Sequence, residues 1–275
     1  MDSAACCPGS QRGRIKMNGS KGIAVLVACG MACGASAAIS NVASYVDAPR
    51  TYNDFGGSNL VFQSNYSPSN GSLIIQENNY GAGGFANRHM TWLGDAGNNK
   101  EDFNYGDGWD ISMTMQVNAA DSVGQVEAGF QFDLFGFGLF GVLTGNGEIA
   151  AFGSVMPFFT FGTGLYNVGD ELMLRMIHRP GDGENSGGAA STMEYMYNNL
   201  TTGSGWVSSG EIDFTTTEGG IPSSFNMYVG VGAQINQPDP TLGNVDISFS
   251  NIAIPAPASL ALMGLGGLVA TRRRR

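Results

Sequence analysis

Apolar and polar residues alternate along many segments of the chain, as they do in β-strands that bury one face. In the clearest segment, 110–118, every second residue is apolar: Ile111, Met113, Met115 and Val117. The same alternation recurs at 126–134, 193–197, 225–233 and 245–249, and shorter apolar runs predict further strands at 59–62, 72–76, 148–152, 158–161, 171–177 and 211–214. Turn-forming clusters such as 145–147 and 179–183 separate them, and helical periodicity is scarce. The pattern predicts an all-β protein, an antiparallel two-sheet β-sandwich of ten or more strands.

The two ends of the chain break this pattern. Near the N-terminus, Lys21 precedes an apolar stretch that ends in Ala35-Ser36-Ala37, the A-x-A pattern that signal peptidase cleaves. We therefore expect residues 1–38 to be a signal peptide with an extended n-region, or with an upstream start before the true one at Met17. A competing interpretation is lipidation at Cys29, after Leu26-Val27-Ala28.

At the C-terminus, Pro255 and Pro257 precede a short uncharged stretch that ends in four arginines, Arg272, Arg273, Arg274 and Arg275. The uncharged stretch is shorter than the ~20 residues of a typical membrane-spanning helix. Arginines at its end favour the cytoplasmic side. We expect a tail, 255–275, that pauses at or anchors in the membrane and leaves the rest of the protein outside.

This tail resembles the PEP-CTERM sorting signal of exported bacterial proteins, in which Pro-Glu-Pro precedes a short apolar helix and a basic terminus. Ala256 stands where that family usually carries Glu. The resemblance implies an exosortase as partner and a location at the cell surface or in the extracellular matrix. A simple membrane anchor is the alternative.

Removing both ends leaves a single domain of about 216 residues, 39–254, which is long enough for a sizeable core. All four cysteines precede Ala38, so we expect no disulfide, thiol catalysis or cysteine-bound metal in this domain. It carries five basic residues against 22 acidic ones, a net charge of −17. Such a surface repels phosphate backbones, which argues against nucleic-acid binding.

Together the strand order, the aromatic and Gly-containing middle and the last strand, 246–253, resemble the jelly-roll sandwich of concanavalin-like lectins and laminarinases. That resemblance implies the fold and, less directly, a carbohydrate ligand. The glycoside hydrolases of family 16 carry E-x-D-x-x-E on one strand, whereas this chain has Glu211 and Asp213 but Thr216 at the third position, with Glu218 two residues beyond it. A retaining mechanism needs two carboxylates about 5 Å apart, so we expect no enzyme activity.

Oxygen-rich side chains are densest between residues 94 and 110. Calcium takes six to eight oxygen ligands, and the candidate ligands are Asp95, Glu101, Asp102, Asp107 and Asp110. The spacing is not that of an EF-hand, so a plain acidic surface loop is the alternative. No other cofactor is expected.

Several aromatic and histidine residues admit two interpretations. Phe135, Phe137 and Phe140 lie in a glycine-containing segment, where they either fill the core or offer faces for stacking on sugar rings. Trp92, Trp109 and Trp206 are expected to cap the core. His178 precedes Arg179-Pro180, so we expect it to lie in a turn, exposed to solvent.

The sequence therefore predicts an exported, non-enzymatic protein of the cell surface or extracellular matrix, with a structural or adhesive role. The alternatives are a lectin-like carbohydrate-binding module and, less favoured, a secreted glycoside hydrolase of the same fold. The expected partners are signal peptidase, an exosortase-type enzyme, the membrane through the tail, and extracellular polysaccharide.

Overall fold

The structure is a computed structural model. It describes residues 44–53, 59–65, 72–78, 86–95, 97–103, 108–120, 125–133, 136–153, 156–181, 191–213, 227–236 and 244–254. The signal segment with Ala35 and Ala37, and the tail with its prolines and arginines, lie outside these residues, so export and sorting stay predictions. Within the described ranges there is no helix long and apolar enough to cross a bilayer.

Fourteen strands make up the described part of the chain. They are β1 Ser44–Asn53, β2 Asn59–Asn65, β3 Ser72–Asn78, β4 Ala86–Gly94, β5 Trp109–Ala120, β6 Gln125–Asp133, β7 Phe137–Leu143, β8 Glu148–Gly153, β9 Phe159–Gly162, β10 Glu171–Arg179, β11 Thr192–Asn199, β12 Val207–Asp213, β13 Tyr228–Asn236 and β14 Asn244–Ala253.

The strands form two sheets of seven. Sheet 1 has the order β1-β4-β13-β6-β7-β8-β9, and sheet 2 has the order β12-β11-β10-β5-β14-β3-β2. Every strand pair is antiparallel. The predicted all-β, antiparallel two-sheet sandwich is confirmed.

The core lies between the two sheets and is built from alternate residues of their strands. All four apolar residues predicted to share one face of β5 are at most 2% exposed. Aromatic rings link the sheets: Phe140 of sheet 1 lies 4.9 Å from Tyr195 of sheet 2, centroid to centroid, and Phe161 lies 4.9 Å from Tyr197. Burial of such large side chains contributes most of the stabilisation in a domain without cysteine.

Some strand predictions were incomplete. Strand β4 was missed because its inward face carries buried polar residues, His89 and Thr91, which hide the alternation. The predicted strand at 211–214 is instead β12, Val207–Asp213, and the one at 225–233 is β13, Tyr228–Asn236. Polar residues that pair inside a sheet obscure strand boundaries in the sequence.

The expectation of a solvent-exposed His178 was wrong. Strand β10 continues through Arg179, so His178 occupies an inward position. It is 2% exposed and stacks on Trp109, with ring centroids 5.4 Å apart. Of the three tryptophans, Trp109 is 3% exposed and belongs to the core, as expected. Trp92 is also 3% exposed but lies on the outward face of sheet 1, and Trp206 is 41% exposed and does not cap the core.

Candidate binding site on the outer face of sheet 1

The outward face of sheet 1 follows from the pairing of its strands. On β4, His89 and Thr91 pair with Ala233 and Val231 and face the core, so Arg88 and the other alternate residues face outward. The same alternation turns the odd-numbered positions of β6 outward, because Val126, Ala128, Phe130 and Phe132 belong to the core.

Glycines form a row across this outward face. Gly232 of β13 pairs with Gly129 of β6, Gly129 pairs with Gly141 of β7, and Gly141 pairs with Ala150 of β8. Four neighbouring strands therefore present almost bare backbone along one line. We call this line the glycine row.

Larger side chains stand on both sides of the glycine row. On one side, Gln131 of β6 pairs with Leu139 of β7, which pairs with Phe152 of β8. On the other side, Arg88 of β4 pairs with Gln234 of β13, which pairs with Glu127 of β6. The row of small residues leaves the space between these two walls open.

A cavity of about 180 Å³ lies on the same side of sheet 1, and residues of both walls line it, whereas the glycine row itself does not. The cavity is lined by Arg88, Glu127, Gln131, Phe137, Gly138, Leu139, Phe152, Gly153 and Gln234. Pockets that enclose drug-sized ligands have volumes of about 300–1,000 Å³. This cavity is therefore suited to one small group, such as a single ring of a longer ligand.

Arg88 crosses the glycine row to reach the opposite wall. Its Nη2 donates a hydrogen bond of 2.5 Å to Oε1 of Gln131, and its guanidinium carbon lies 3.7 Å from the centre of the Phe137 ring. The side chain is 5% exposed. Cation–π contacts of desolvated arginines contribute about 2 kcal/mol, so Arg88 is held rigidly in this position.

This contact fixes the orientation of the Gln131 amide. A guanidinium group only donates hydrogen bonds, so the amide oxygen must face Arg88 and the amide nitrogen must face away from it. Gln131 is 1% exposed, and its Nε2 is buried without a hydrogen-bond partner in the described part of the chain. Leaving such a donor unsatisfied costs about 1–3 kcal/mol.

The opposite wall supplies an acceptor. Nε2 of Gln234 donates to Oε2 of Glu127 at 3.4 Å, across the pair that β13 and β6 form. An ionised carboxylate accepts several hydrogen bonds. The side chains of Gln131, Glu127, Phe137 and Phe152 thus all contribute to the lining of the cavity.

An aromatic group adjoins the cavity. Trp92 stacks on Phe137 with centroids 6.5 Å apart, and the Tyr228 ring meets Trp92 edge-on at 6.3 Å. Nζ of Lys100 lies 4.7 Å from the Trp92 ring and 4.9 Å from the Tyr228 ring. Aromatic faces therefore extend from the cavity to the loop after β4.

The structure separates the predicted calcium ligands. Asp95 follows β4 of sheet 1, and its Oδ1 accepts hydrogen bonds from the backbone N–H groups of Gly97 and Asn99, both at 2.8 Å. These hydrogen bonds lower the pKa of Asp95, the one from Asn99 most. Asp110 lies on β5 of sheet 2, where its carboxylate binds the guanidinium of Arg175, with Nε at 2.8 Å. Both carboxylates thus have protein partners.

Two of the remaining predicted ligands, Glu101 and Asp102, lie near Asp95. Burial raises the pKa of Glu101, and the charges of Asp95 and Asp102 raise it further. Asp107 is outside the described residues. Among the residues that are described, no group of three or more His, Cys, Asp or Glu is placed to hold a metal ion. Calcium binding stays a prediction.

The carboxylate pair considered for hydrolysis lies on the outer face of sheet 2, at its edge strand β12. Glu211 is bound to Arg179, with Oε1 3.3 Å from Nε, and Arg179 also binds Glu194 at 2.8 Å. Burial alone would raise the pKa of Glu194, but hydrogen bonds from Ser208 and Arg179 outweigh it and lower that pKa. Glu211 is therefore part of an ion-pair network.

Sequence reasoning missed most of the cavity. Of its residues, only Phe137 and its neighbouring glycines had been considered, and the structure divides that segment: Phe140 is in the core, and Phe137 lines the cavity. Phe135 is outside the described residues. The sequence did contain one signal that could have drawn attention to this site: Arg88 is one of only five basic residues in a strongly acidic domain.

Comparison with known proteins adds little. No protein-family model matches the sequence, and no curated protein matches it. Among solved structures, lectin II from Ulex europaeus is 9% identical with a TM-score of 0.37, covering 78% of this chain and all of that one. Winged bean acidic lectin, in complex with methyl-alpha-D-galactose, is 11% identical with a TM-score of 0.39, covering 78% and 99%.

A protein of unknown function from Shewanella oneidensis MR-1 is 9% identical, with a TM-score of 0.32 and coverage of 78% and 90%. Similarity at this level supports no conclusion about a ligand of this chain.

Proposed function

We propose that the chain is an exported, non-enzymatic surface or matrix protein whose sandwich binds a saccharide unit in the cavity of sheet 1. The observation that carries the proposal is the buried amide of Gln131. Its oxygen is fixed by Arg88, its buried nitrogen has no hydrogen-bond partner in the described part of the chain, and the residue is one of those that line the cavity.

The arrangement of donors and acceptors suits a sugar. A hydroxyl group both accepts and donates hydrogen bonds, so neighbouring hydroxyls of one ring can accept from Gln131 Nε2 and donate to Glu127. The C–H face of the ring suits the apolar rings of Phe137 and Phe152. A cavity of about 180 Å³ on the outward side of sheet 1 has room for one unit of a polymer.

The proposed location rests on the sequence. The signal segment and the PEP-CTERM-like tail agree with an exported protein that is sorted to the surface. A concanavalin-like jelly roll is the form of two-sheet sandwich that we propose for it. Retention in a matrix then follows from many weak contacts with polysaccharide, since multivalent attachment raises avidity without new contacts.

The composition of the cavity argues for binding rather than hydrolysis. Among the described residues that line it, Glu127 is the only carboxylate. Glycoside hydrolysis by the usual mechanisms needs two carboxyl groups that flank the scissile bond. We therefore expect no release of reducing ends from any polysaccharide that is bound.

The test is retention of the purified protein on immobilised polysaccharides, compared with the Gln131→Glu variant. This substitution keeps an oxygen for Arg88 and replaces the donor Nε2 by an acceptor of the same size. We expect at least a tenfold loss of affinity. Asn198→Asp, the same chemical change on the outer face of β11, is the control and should bind like the wild type.

Two results would contradict the proposal. The first is no retention on any polymer, which would leave a structural matrix protein without a glycan ligand. The second is retention that Gln131→Glu leaves unchanged, which would place binding elsewhere on the molecule.

A further inference from the structure

We infer that the cavity accepts neutral saccharide units and rejects uronic acids, and that Glu127 is the residue that makes this distinction. The inference rests on the proposed saccharide binding and adds the class of sugar. It follows from how the two charged residues of the cavity are placed.

Arg88 is a poor anchor for a ligand carboxylate. Arg88 is 5% exposed, and its guanidinium covers the Phe137 ring at 3.7 Å and donates to Gln131. A carboxylate that recruited Arg88 would have to break the hydrogen bond that orients the Gln131 amide. The hydrogen bond between Arg88 and Gln131, which orients the amide toward a neutral acceptor, therefore disfavours an anionic ligand.

Glu127 directs its negative charge at the same space. It is half-buried and lines the cavity from β6, while Gln234 holds it from the paired position on β13. A hydroxyl donates to such a carboxylate, whereas a second carboxylate is repelled and has no proton to donate at neutral pH. Like-charge contact across an interface therefore weakens binding.

The charge of the whole domain acts in the same direction but at longer range. The net charge of −17 over residues 39–254 repels any polyanion. Physiological salt screens exposed charges beyond a Debye length of about 8 Å. Discrimination that persists at physiological salt must therefore come from a group close to the ligand, and Glu127 is the carboxylate in that position among the described residues that line the cavity.

The experiment compares matched neutral and acidic polymers. The probes are laminarin and a β-1,4-galactan, each also in a form oxidised to the carboxylate at C6, and binding is measured at 0.15 M salt with the wild-type protein. We expect at least one neutral polymer to bind and its oxidised form to bind at least tenfold more weakly.

The variant Glu127→Gln tests the assigned residue. It removes the charge and keeps an amide oxygen as acceptor, so we expect the neutral and oxidised forms to bind within about threefold of each other. Glu171→Gln makes the same charge change at the exposed start of β10 in sheet 2 and should preserve the discrimination. If both variants abolish it equally, net charge alone is responsible and Glu127 has no special role.

The outcomes separate the two proposals. If the oxidised polymer binds as tightly as the neutral one, or more tightly, the neutral-sugar inference is overturned. If Gln131→Glu weakens that binding, the proposal that a saccharide binds in this cavity still holds. Binding of no polymer, oxidised or neutral, would overturn the proposed function and this inference together.

Discussion

Replacing Gly141 by alanine tests whether the glycine row is as closely packed as the structure shows. A Cβ atom at this position would lie 2.0 Å from the carbonyl oxygen of Ala128 and 2.8 Å from Cα of Gly129. Both atoms belong to the backbone of β6, so no side chain can rotate away. Relief requires β6 and β7 to move apart by about 1.4 Å to restore a contact of 3.4 Å.

The cost follows from that displacement. Overpacking a well-packed site costs about 1–3 kcal/mol, and each interstrand hydrogen bond that is stretched loses about 1 kcal/mol. We expect a decrease of about 3 kcal/mol in the free energy of unfolding. For a domain of 150–250 residues, 1 kcal/mol corresponds to about 2–4 °C in Tm. The Gly141→Ala variant should therefore melt about 6–12 °C below the wild type.

The assay is thermal unfolding followed by circular dichroism, with Ala150→Gly as the control. Ala150 pairs directly with Gly141 in the same row, and its change to glycine removes a methyl group instead of adding one. Glycine inside a strand costs about 0.5–1 kcal/mol, so the control should lose only about 1–4 °C. A Gly141→Ala variant that melts within 2 °C of the wild type would refute the close approach of β6 and β7.

Two further predictions concern stability. The raised pKa of Glu101, caused by burial and then by Asp95 and Asp102, means that its ionised form opposes folding as pH rises through the folded-state pKa. Glu101→Gln should therefore have a higher Tm than the wild type at pH 7 and the same Tm as the wild type below about pH 4. If the variant and the wild type have the same Tm at pH 7 as well, this prediction is wrong. Tyr195→Phe removes the hydroxyl that donates to the carbonyl oxygen of Pro157 at 3.0 Å. It should lower stability by about 1 kcal/mol in urea unfolding, and an unchanged midpoint would show that this hydrogen bond contributes nothing.

Alternation along the sequence was enough to predict the fold class. Strands such as β5 and β11 have one polar face and one buried face, so their apolar residues recur at every second position. In β7 the burial extends to both faces, and in β4 the inward face is partly polar, so neither shows this signal. A two-residue period of apolar positions shows only that one face of a strand is more exposed to solvent than the other.

Neighbours in sequence proved to be a poor guide to neighbours in space. Asp95 and Asp110 are only 15 residues apart, yet one follows a strand of sheet 1 and the other lies in sheet 2, bound to Arg175. The chain crosses from one sheet to the other between them. The oxygen-rich segment 94–110 is therefore not one continuous loop on a single face.

By itself, the sequence determined which residues face inward along most strands, the strong acidity of the domain and the positions of its candidate export and sorting signals. Only the tertiary structure determined which residues come together around the cavity. Arg88 and Gln131 are 43 residues apart and meet because β13, from much later in the chain, lies between β4 and β6. Side-chain alternation is a local property, whereas the order of strands in a sheet depends on the long-range pairing of backbone groups across the whole domain.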